Sequence, residues 1–320
     1  MNPYTLLALG SVNADFQVRV DDTPDSAETL LAHDQCRLSG GKASNVAWLG
    51  SNFGCRSVLL ACVGDDDLAT QALSPLQQAG VDISRVARAD GESTGVSMIM
   101  VPPEGKKQIV LATNANDHWP EAAVQALQDE IARTPSPALL AVDYEIPIEV
   151  VHKAIETAHR NGIPIVLDPS FPERVERALL NRLTAITPNV AEAGTLTGVD
   201  VDGPETAAEA VRRLLDAGVE VACVKLADGG CVLGTGKTIS LIPSCDVEVV
   251  DTTGGGDAFT GVLAVALLEG YEPLTAAARA VAAANLAVTA YGSQPAYPTR
   301  ERIEEMASIL LQRTRTLDEQ

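Results

Sequence analysis

Short apolar runs alternate with stretches of helical period along this 320-residue chain. That alternation predicts an α/β fold, a mostly parallel sheet flanked by helices on both faces. Two segments, at about 15–38 and 94–111, break the rhythm with short alternating runs and predict a small antiparallel β lid inserted into that body. No internal repeat, low-complexity tract or Pro/Ser-rich linker divides the chain, so residues 1–320 are expected to form one domain.

Buried strands are expected at 5–9, 57–61, 138–142, 164–167 and 219–225, each a continuous apolar run of strand length. Helices are expected at 43–53, 68–79, 121–133, 148–161, 172–181 and 206–217. Gly54, Gly80, Gly162 and Gly218 close several of them, as suits a left-handed helix end. The lid strands show as Phe16-Gln17-Val18-Arg19-Val20 and Val96-Ser97-Met98-Ile99-Met100-Val101. Beyond Asp257 the chain turns helical, at 258–268, 274–290 and 300–312.

Apolar residues make up 46% of the chain, which excludes general disorder. The formal net charge of −20 would repel nucleic-acid phosphates and anionic lipid, so neither is an expected partner. The run at 5–9 lacks the basic flank of a signal peptide, and the apolar stretch at 258–268 is too short to span a bilayer. The six cysteines show no CxxC and no metal-ligand spacing; they read as reduced thiols of a cytoplasmic protein. The four histidines stand beside no Ser/Asp or metal-ligand pattern.

The segment Asp251-Thr252-Thr253-Gly254-Gly255-Gly256-Asp257 runs into an apolar helix. Glycines let the backbone turn its N–H groups to one point, and a helix N-terminus adds positive potential, a combination that cradles a phosphate. Asp257 at the mouth of such a nest suits a general base on an attacking hydroxyl, or simply a helix cap. Gly40-Gly41-Lys42-Ala43-Ser44-Asn45 also precedes a helix; Lys42 and Asn45 offer donors to hydroxyls, or the segment is only a tight turn. In Gly10-Ser11-Val12-Asn13-Ala14-Asp15, Asn13 and Asp15 point the same way on an extended chain, which suits a polyol or an ordinary Asx turn. Asn189 and Glu192 share a helix start, as Mg²⁺ ligands acting largely through water or as a capping box. The chain has neither a GxxxxGK[ST] P-loop nor a clean strand–GxGxxG–helix unit.

Taken in order, GSVNAD, GGKASN, TPNVAE and DTTGGGDAF resemble the ribokinase-like (PfkB) family of carbohydrate kinases, from Leu9 to about Ile303. Asn114-Ala115-Asn116 and Gly292-Ser293-Gln294-Pro295 extend the likeness toward the family's ribokinases. The resemblance implies ATP-dependent phosphorylation of the primary hydroxyl of a sugar, D-ribose first, with Asp257 as general base and the N–H groups of Gly254, Gly255, Gly256 and Asp257 stabilising developing charge. By position it implies that Asn13, Asp15, Gly41, Lys42, Asn45 and Glu145 hold the sugar. Asn189 and Glu192 would organise Mg²⁺ and the phosphates, and Lys225, Ala227 and Gly230 would line the nucleotide. A monovalent cation, K⁺, is implied at the Asp251 carboxylate and the backbone of Thr253, Ala287, Ala290, Gly292 and Ala296. A homodimer through the lid is implied as well.

Three departures stand out: Gly255 for an alanine in the nest, Ala43-Ser44 for Gly-Ala, which is expected to crowd the sugar loop, and Ala227 for a glycine in the nucleotide loop. The alternatives are a relative acting on a nucleoside, a ketose such as fructose, 2-keto-3-deoxygluconate or a sugar phosphate, and a sugar-binding protein that lost the chemistry. A sugar phosphate would call for basic groups at the sugar, and only Lys42, with Lys106 and Lys107 in the lid, offers them. The presence of Asp257 and the nest glycines speaks against a binding protein.

Overall fold

The computed structural model of the protein describes residues 4–22, 29–103, 105 and 107–317. Part of the first lid segment, at 23–28, and Lys106 lie outside the described residues. The first half of the chain carries β1 (Thr5–Leu9), β2 (Asn13–Arg19), β3 (Asp34–Gly40), α1 (Lys42–Asn52), β4 (Arg56–Gly64), α2 (Asp67–Gln78), β5 (Val86–Ala89), β6 (Gly95–Val101) and β7 (Gln108–Ala112). Then come α3 (Glu121–Arg133), β8 (Ala138–Asp143), α4 (Ile148–Arg160), β9 (Ile165–Asp168), β10 (Ala185–Ile186), α5 (Val190–Thr197), α6 (Pro204–Asp216) and β11 (Val221–Lys225). The hairpin β12 (Cys231–Thr235) and β13 (Thr238–Ile242), the helices α7 (Gly255–Leu268), α8 (Pro273–Ala287) and α9 (Arg300–Arg313), and β14 (Arg315–Thr316) complete it.

The main sheet has the order β14-β13-β12-β11-β10-β9-β8-β1-β4-β5. Every pairing from β11 to β5 is parallel, and β12, β13 and β14 add an antiparallel edge. Alternate residues of one strand feed two cores, as the pleat dictates. Leu6 and Ala8 pack with α1, α2, α7, α8 and α9, while Leu7 and Leu9 pack with α3, α4 and α6. Helix α7 is buried on nearly all sides, which is why its sequence is apolar all round rather than striped.

A second sheet, β3-β2-β6-β7, forms the lid. Its two outer pairings are antiparallel as expected, but the central pair β2–β6 runs parallel. Both strands leave the same end of the parallel main sheet, β2 after β1 and β6 after β5, and so they travel side by side.

The helix expected at 172–181 is replaced by two 3₁₀ turns, Pro172–Arg174 and Arg177–Arg182. Phe171 enters with φ 55 and Val175 and Glu176 are extended, so no continuous α-helical run forms. Helix α7 begins three residues earlier than expected, which makes Gly255, Gly256 and Asp257 its first turn. Helix α8 stops at Ala287 rather than 290.

Candidate active site

Gly10, Asp143, Asp168 and Lys225 stand at or just past the carboxyl ends of β1, β8, β9 and β11, where open α/β sheets bind ligands. Beneath the lid these ends open into a cleft of about 1040 Å³. At one end the cleft is lined by Asn13, Asp15, Gly41, Lys42, Asn45 and Glu145. At the other end stand Asn189, Glu192, Lys225, Ala227 and Gly230, with Thr253, Gly254, Gly255, Gly256 and Asp257 between the two groups. Asp251, Ala287, Ala290, Gly292 and Ala296 do not line the cleft.

Close packing holds the turn after β1. Asn116 Oδ1 accepts from Val12 N at 3.0 Å, and its Nδ2 donates to Asn13 Oδ1 at 2.8 Å. Asp15 is buried with its Oδ1 unpartnered, and burial pushes its carboxyl up to about 7. Gly41 starts α1 at φ 94, and a Cβ there would lie 2.4 Å from Ser11 O, so only glycine brings the helix this close to the turn. Ser11 Oγ donates to Glu145 Oε2 at 2.8 Å. Burial pushes the Asp143 and Glu145 carboxyls up, and for Asp143 its neighbour Glu145 adds to that.

Asp257 is held from two directions. Asn45 Nδ2 donates to its Oδ2 at 2.7 Å, and Lys42 Nζ lies 3.4 Å from its Oδ1. Lys42 also lies 3.3 Å from Asp168. Burial works against both charges of that pair. Lys42 and Lys225 nonetheless hold Asp168 down to about 2, and Asp168 and Asp257 hold Lys42 well above the ordinary lysine range. Behind Asn45, Gln294 Nε2 donates to Asn45 Oδ1 at 3.2 Å and to Ser39 Oγ at 3.1 Å. Ala43 and Ser44 do not line the cleft; Ser44 Oγ faces Gln294 and Ser39, so the expected crowding of the sugar loop is absent.

Among the described residues, the N–H groups of Gly254, Gly256 and Asp257 have no acceptor, whereas the Gly255 N–H, expected to join them, donates to Thr252 O at 3.4 Å. They form the start of α7 and are available to an anion. Gly254 reaches this geometry at φ 75, and a Cβ there would lie 2.7 Å from Ser293. At the other end of the cleft, Asn285 Nδ2 donates to Gly229 O at 2.8 Å and its Oδ1 accepts from Cys245 N, bridging the 225–230 turn to that residue.

Asn189 and Glu192 form a reciprocal capping box at α5, Asn189 N on Glu192 Oε2 at 2.8 Å and Glu192 N on Asn189 Oδ1 at 2.9 Å. Asn189 Oδ1 and Glu192 Oε2 are spent in the cap, and both residues border the cleft. No group of three or more His, Cys, Asp or Glu among the described residues forms a metal cage. The carbonyls of Thr253, Ala287, Ala290 and Gly292 accept no hydrogen bond among the described residues, which fits a large monovalent cation. The Asp251 carboxylate is already engaged by Thr253 N and Oγ1, Gln17 Nε2 and Gly292 N.

Several residues of this site carry no motif of their own: Gln17, Lys107, Asp143, Asp168 and Asn285. Asp143 and Asp168 are legible in retrospect, since each is a lone carboxylate ending an apolar strand. The other three are placed only by the lid and the helix packing.

A profile of the pfkB family of carbohydrate kinases matches residues 5–300. The chain is 32% identical over 301 residues to a ribokinase of Haemophilus influenzae, covering 94% of this chain and 97% of that one. It is 27% identical over 305 residues to a deoxyribokinase of Salmonella typhimurium, covering 95% and 99%. A solved structure of Arabidopsis thaliana ribokinase complexed with ribose and ATP superposes with a TM-score of 0.80 at 27% identity, over 96% of this chain and 99% of that one. The fold, the cleft and this match together show that the chain belongs to the pfkB family of carbohydrate kinases.

Proposed function

We propose that this protein transfers the γ-phosphoryl group of ATP to the primary hydroxyl of a sugar, D-ribose first, giving the sugar 5-phosphate and ADP. The observation that carries this is the meeting of three unsatisfied N–H groups at the start of α7 with the Asp257 carboxylate, in one cleft with Asn13 and Asp15. The unpartnered Asp15 Oδ1 and the amide of Asn13 suit sugar hydroxyls, with Lys42, Asn45, Gly41 and Glu145 around them. Asp257 takes the proton of the attacking hydroxyl as its oxygen bonds to phosphorus and the bond to ADP breaks. The N–H groups of Gly254, Gly256 and Asp257 receive the charge that spreads over the phosphoryl oxygens.

The cleft carries more carboxylates than lysines, so an unaccompanied triphosphate would be repelled. Mg²⁺ on the phosphates supplies the missing charge, with Asn189 and Glu192 reaching it through water and Lys225, Ala227 and Gly230 along the nucleotide. A K⁺ ion at the carbonyls of Thr253, Ala287, Ala290 and Gly292, beside Asp251 and the Gln294–Ala296 turn, would add positive potential behind the nest. The proposal includes a homodimer: Met98 and Val110 are exposed on the outer face of the lid, and among the described residues β3 and β7 have unpaired edges for a second copy to cover.

The test is ADP release from Mg·ATP with K⁺ present, on D-ribose, 2-deoxyribose, fructose, fructose 6-phosphate, 2-keto-3-deoxygluconate, adenosine and pseudouridine. Selective turnover of D-ribose is expected. Asp257→Asn should bind sugar normally and lose roughly 10²–10⁴-fold in turnover. Near-normal turnover by that variant would remove Asp257 as the base.

A further inference from the structure

Among the described residues three lysines line the cleft, and two of them have carboxylate partners. Lys42 sits against Asp168 and Asp257, and Lys225 lies 3.5 Å from Asp168. The third, Lys107, comes from the lid just before β7 and forms no ion pair among the described residues. Its Nζ donates to a neutral acceptor, the carbonyl of Thr252, at 2.9 Å. The lid hairpin is fastened to the same residue, since Thr252 N and Oγ1 both donate to Gly105 O, at 3.2 Å and 2.9 Å. Thr252 stands two residues before Gly254, the first of the unsatisfied N–H groups, and its carbonyl also accepts from Gly255 N at 3.4 Å. The lid therefore delivers an ammonium group to the rim of the anion nest.

We propose that Lys107 is a lid-borne ligand of the γ-phosphate, exchanging the Thr252 carbonyl for a γ-phosphoryl oxygen when ATP is bound. This rests on the phosphotransfer reading above. Burial pulls the Lys107 ammonium below the ordinary lysine range, against the attraction of Asp257 and Asp251. A desolvated ammonium whose hydrogen-bond partner is a neutral carbonyl gains most from an incoming anion. During transfer the group exchanges no proton; it neutralises charge on the phosphoryl oxygens while the bond to ADP breaks and the bond to the sugar oxygen forms. Because ADP lacks the γ-phosphate, Lys107 makes the closed lid a reader of ATP over ADP.

Calorimetric titration of the full chain with Mg²⁺ and either the β,γ-imido analogue of ATP or ADP tests this. Wild type, Lys107→Met and Lys107→Arg are compared, with a D-ribose titration of each. Lys107→Met should lose about 10- to 100-fold in affinity for the imido analogue and less than about 3-fold for ADP, and Lys107→Arg should recover most of the loss. The ADP titration doubles as the control for folding. Equal losses for both nucleotides, or none for either, would overturn the proposal. A loss confined to D-ribose would assign Lys107 to the sugar and overturn it too. Wild type that binds neither nucleotide would bring down the phosphotransfer reading and this inference together. Wild type that prefers the imido analogue, with unchanged variants, would bring down this inference alone.

Discussion

Asp15 is stationed for a ligand at the expense of the fold. Its carboxyl is buried, one oxygen has no partner, and burial raises its pKa to about 7. A carboxyl raised in the folded state holds a proton that the unfolded chain has already released. Its penalty is absent below its ordinary value near 3.8, grows as pH rises, and is complete above about 7. Asp15→Asn should therefore stabilise the protein by about 2–4 kcal/mol at pH 8 and by little at pH 4. Melting curves of both proteins across that range check the sign; a gain that does not grow with pH would show that Asp15 is not the source. The same variant should weaken sugar binding. Asn13 and Asp15 were legible in sequence because alternate residues of an extended segment share a face. Gln294 shows no role in its local sequence, yet it donates to Asn45, which in turn holds Asp257. A bond between residues 249 positions apart leaves no local pattern.

Between elements, the lid and the loop leading into α7 behave as one unit. Gln17 Nε2 of β2 donates to Asp251 Oδ2 at 2.6 Å, two positions along the strand from Asp15. The Arg19 guanidinium lies 4.7 Å over the ring of Tyr291, and Gln294 ties Ser39 of β3 to the same region. Asp15, which lines the cleft, and Gln17, which holds the loop, thus share a strand. Gln17→Leu removes a buried hydrogen bond to a carboxylate, worth about 1.5–3 kcal/mol. The expected result is faster amide exchange in β2 and β3 and a several-fold rise in KM for the sugar, with a smaller change in kcat. Unchanged exchange would mean that the Arg19 and Ser39 contacts suffice to dock the lid. Element identity was mostly legible, because continuous apolar runs and glycine stops mark strands and helix ends. The segment at 172–181 misled, since its composition permits a helix while the left-handed Phe171 and extended Val175 and Glu176 prevent one. The hairpin β12–β13 is not legible in sequence, because its mostly buried strands show an apolar run without clear alternation.

Across the whole molecule, the net charge of −20 makes the folded surface repel itself. Salt should relieve this whichever cation carries it, because screening acts over about 10 Å at 0.1 M. The melting temperature should rise between low salt and about 0.2 M choline chloride, and K⁺ should add a further increment only if it binds at the carbonyls beside Asp251. A flat response to choline would show that the acidic groups are already balanced locally. None of the helices among the described residues is long and apolar enough to cross a membrane.

By itself the sequence determined the α/β order, the inserted lid, the run of glycines that opens α7 and the polar pair Asn13 and Asp15. All of these are written in local period, turn chemistry or short motifs, which a chain carries residue by residue. Only the tertiary structure decided that Asn189 and Glu192 cap a helix, that Ser44 turns away from the cleft, that β2 and β6 run parallel, and that Lys107 reaches the nest. Those outcomes depend on which distant elements meet and on how much water each buried group loses when they do, and neither is encoded in spacing along the chain.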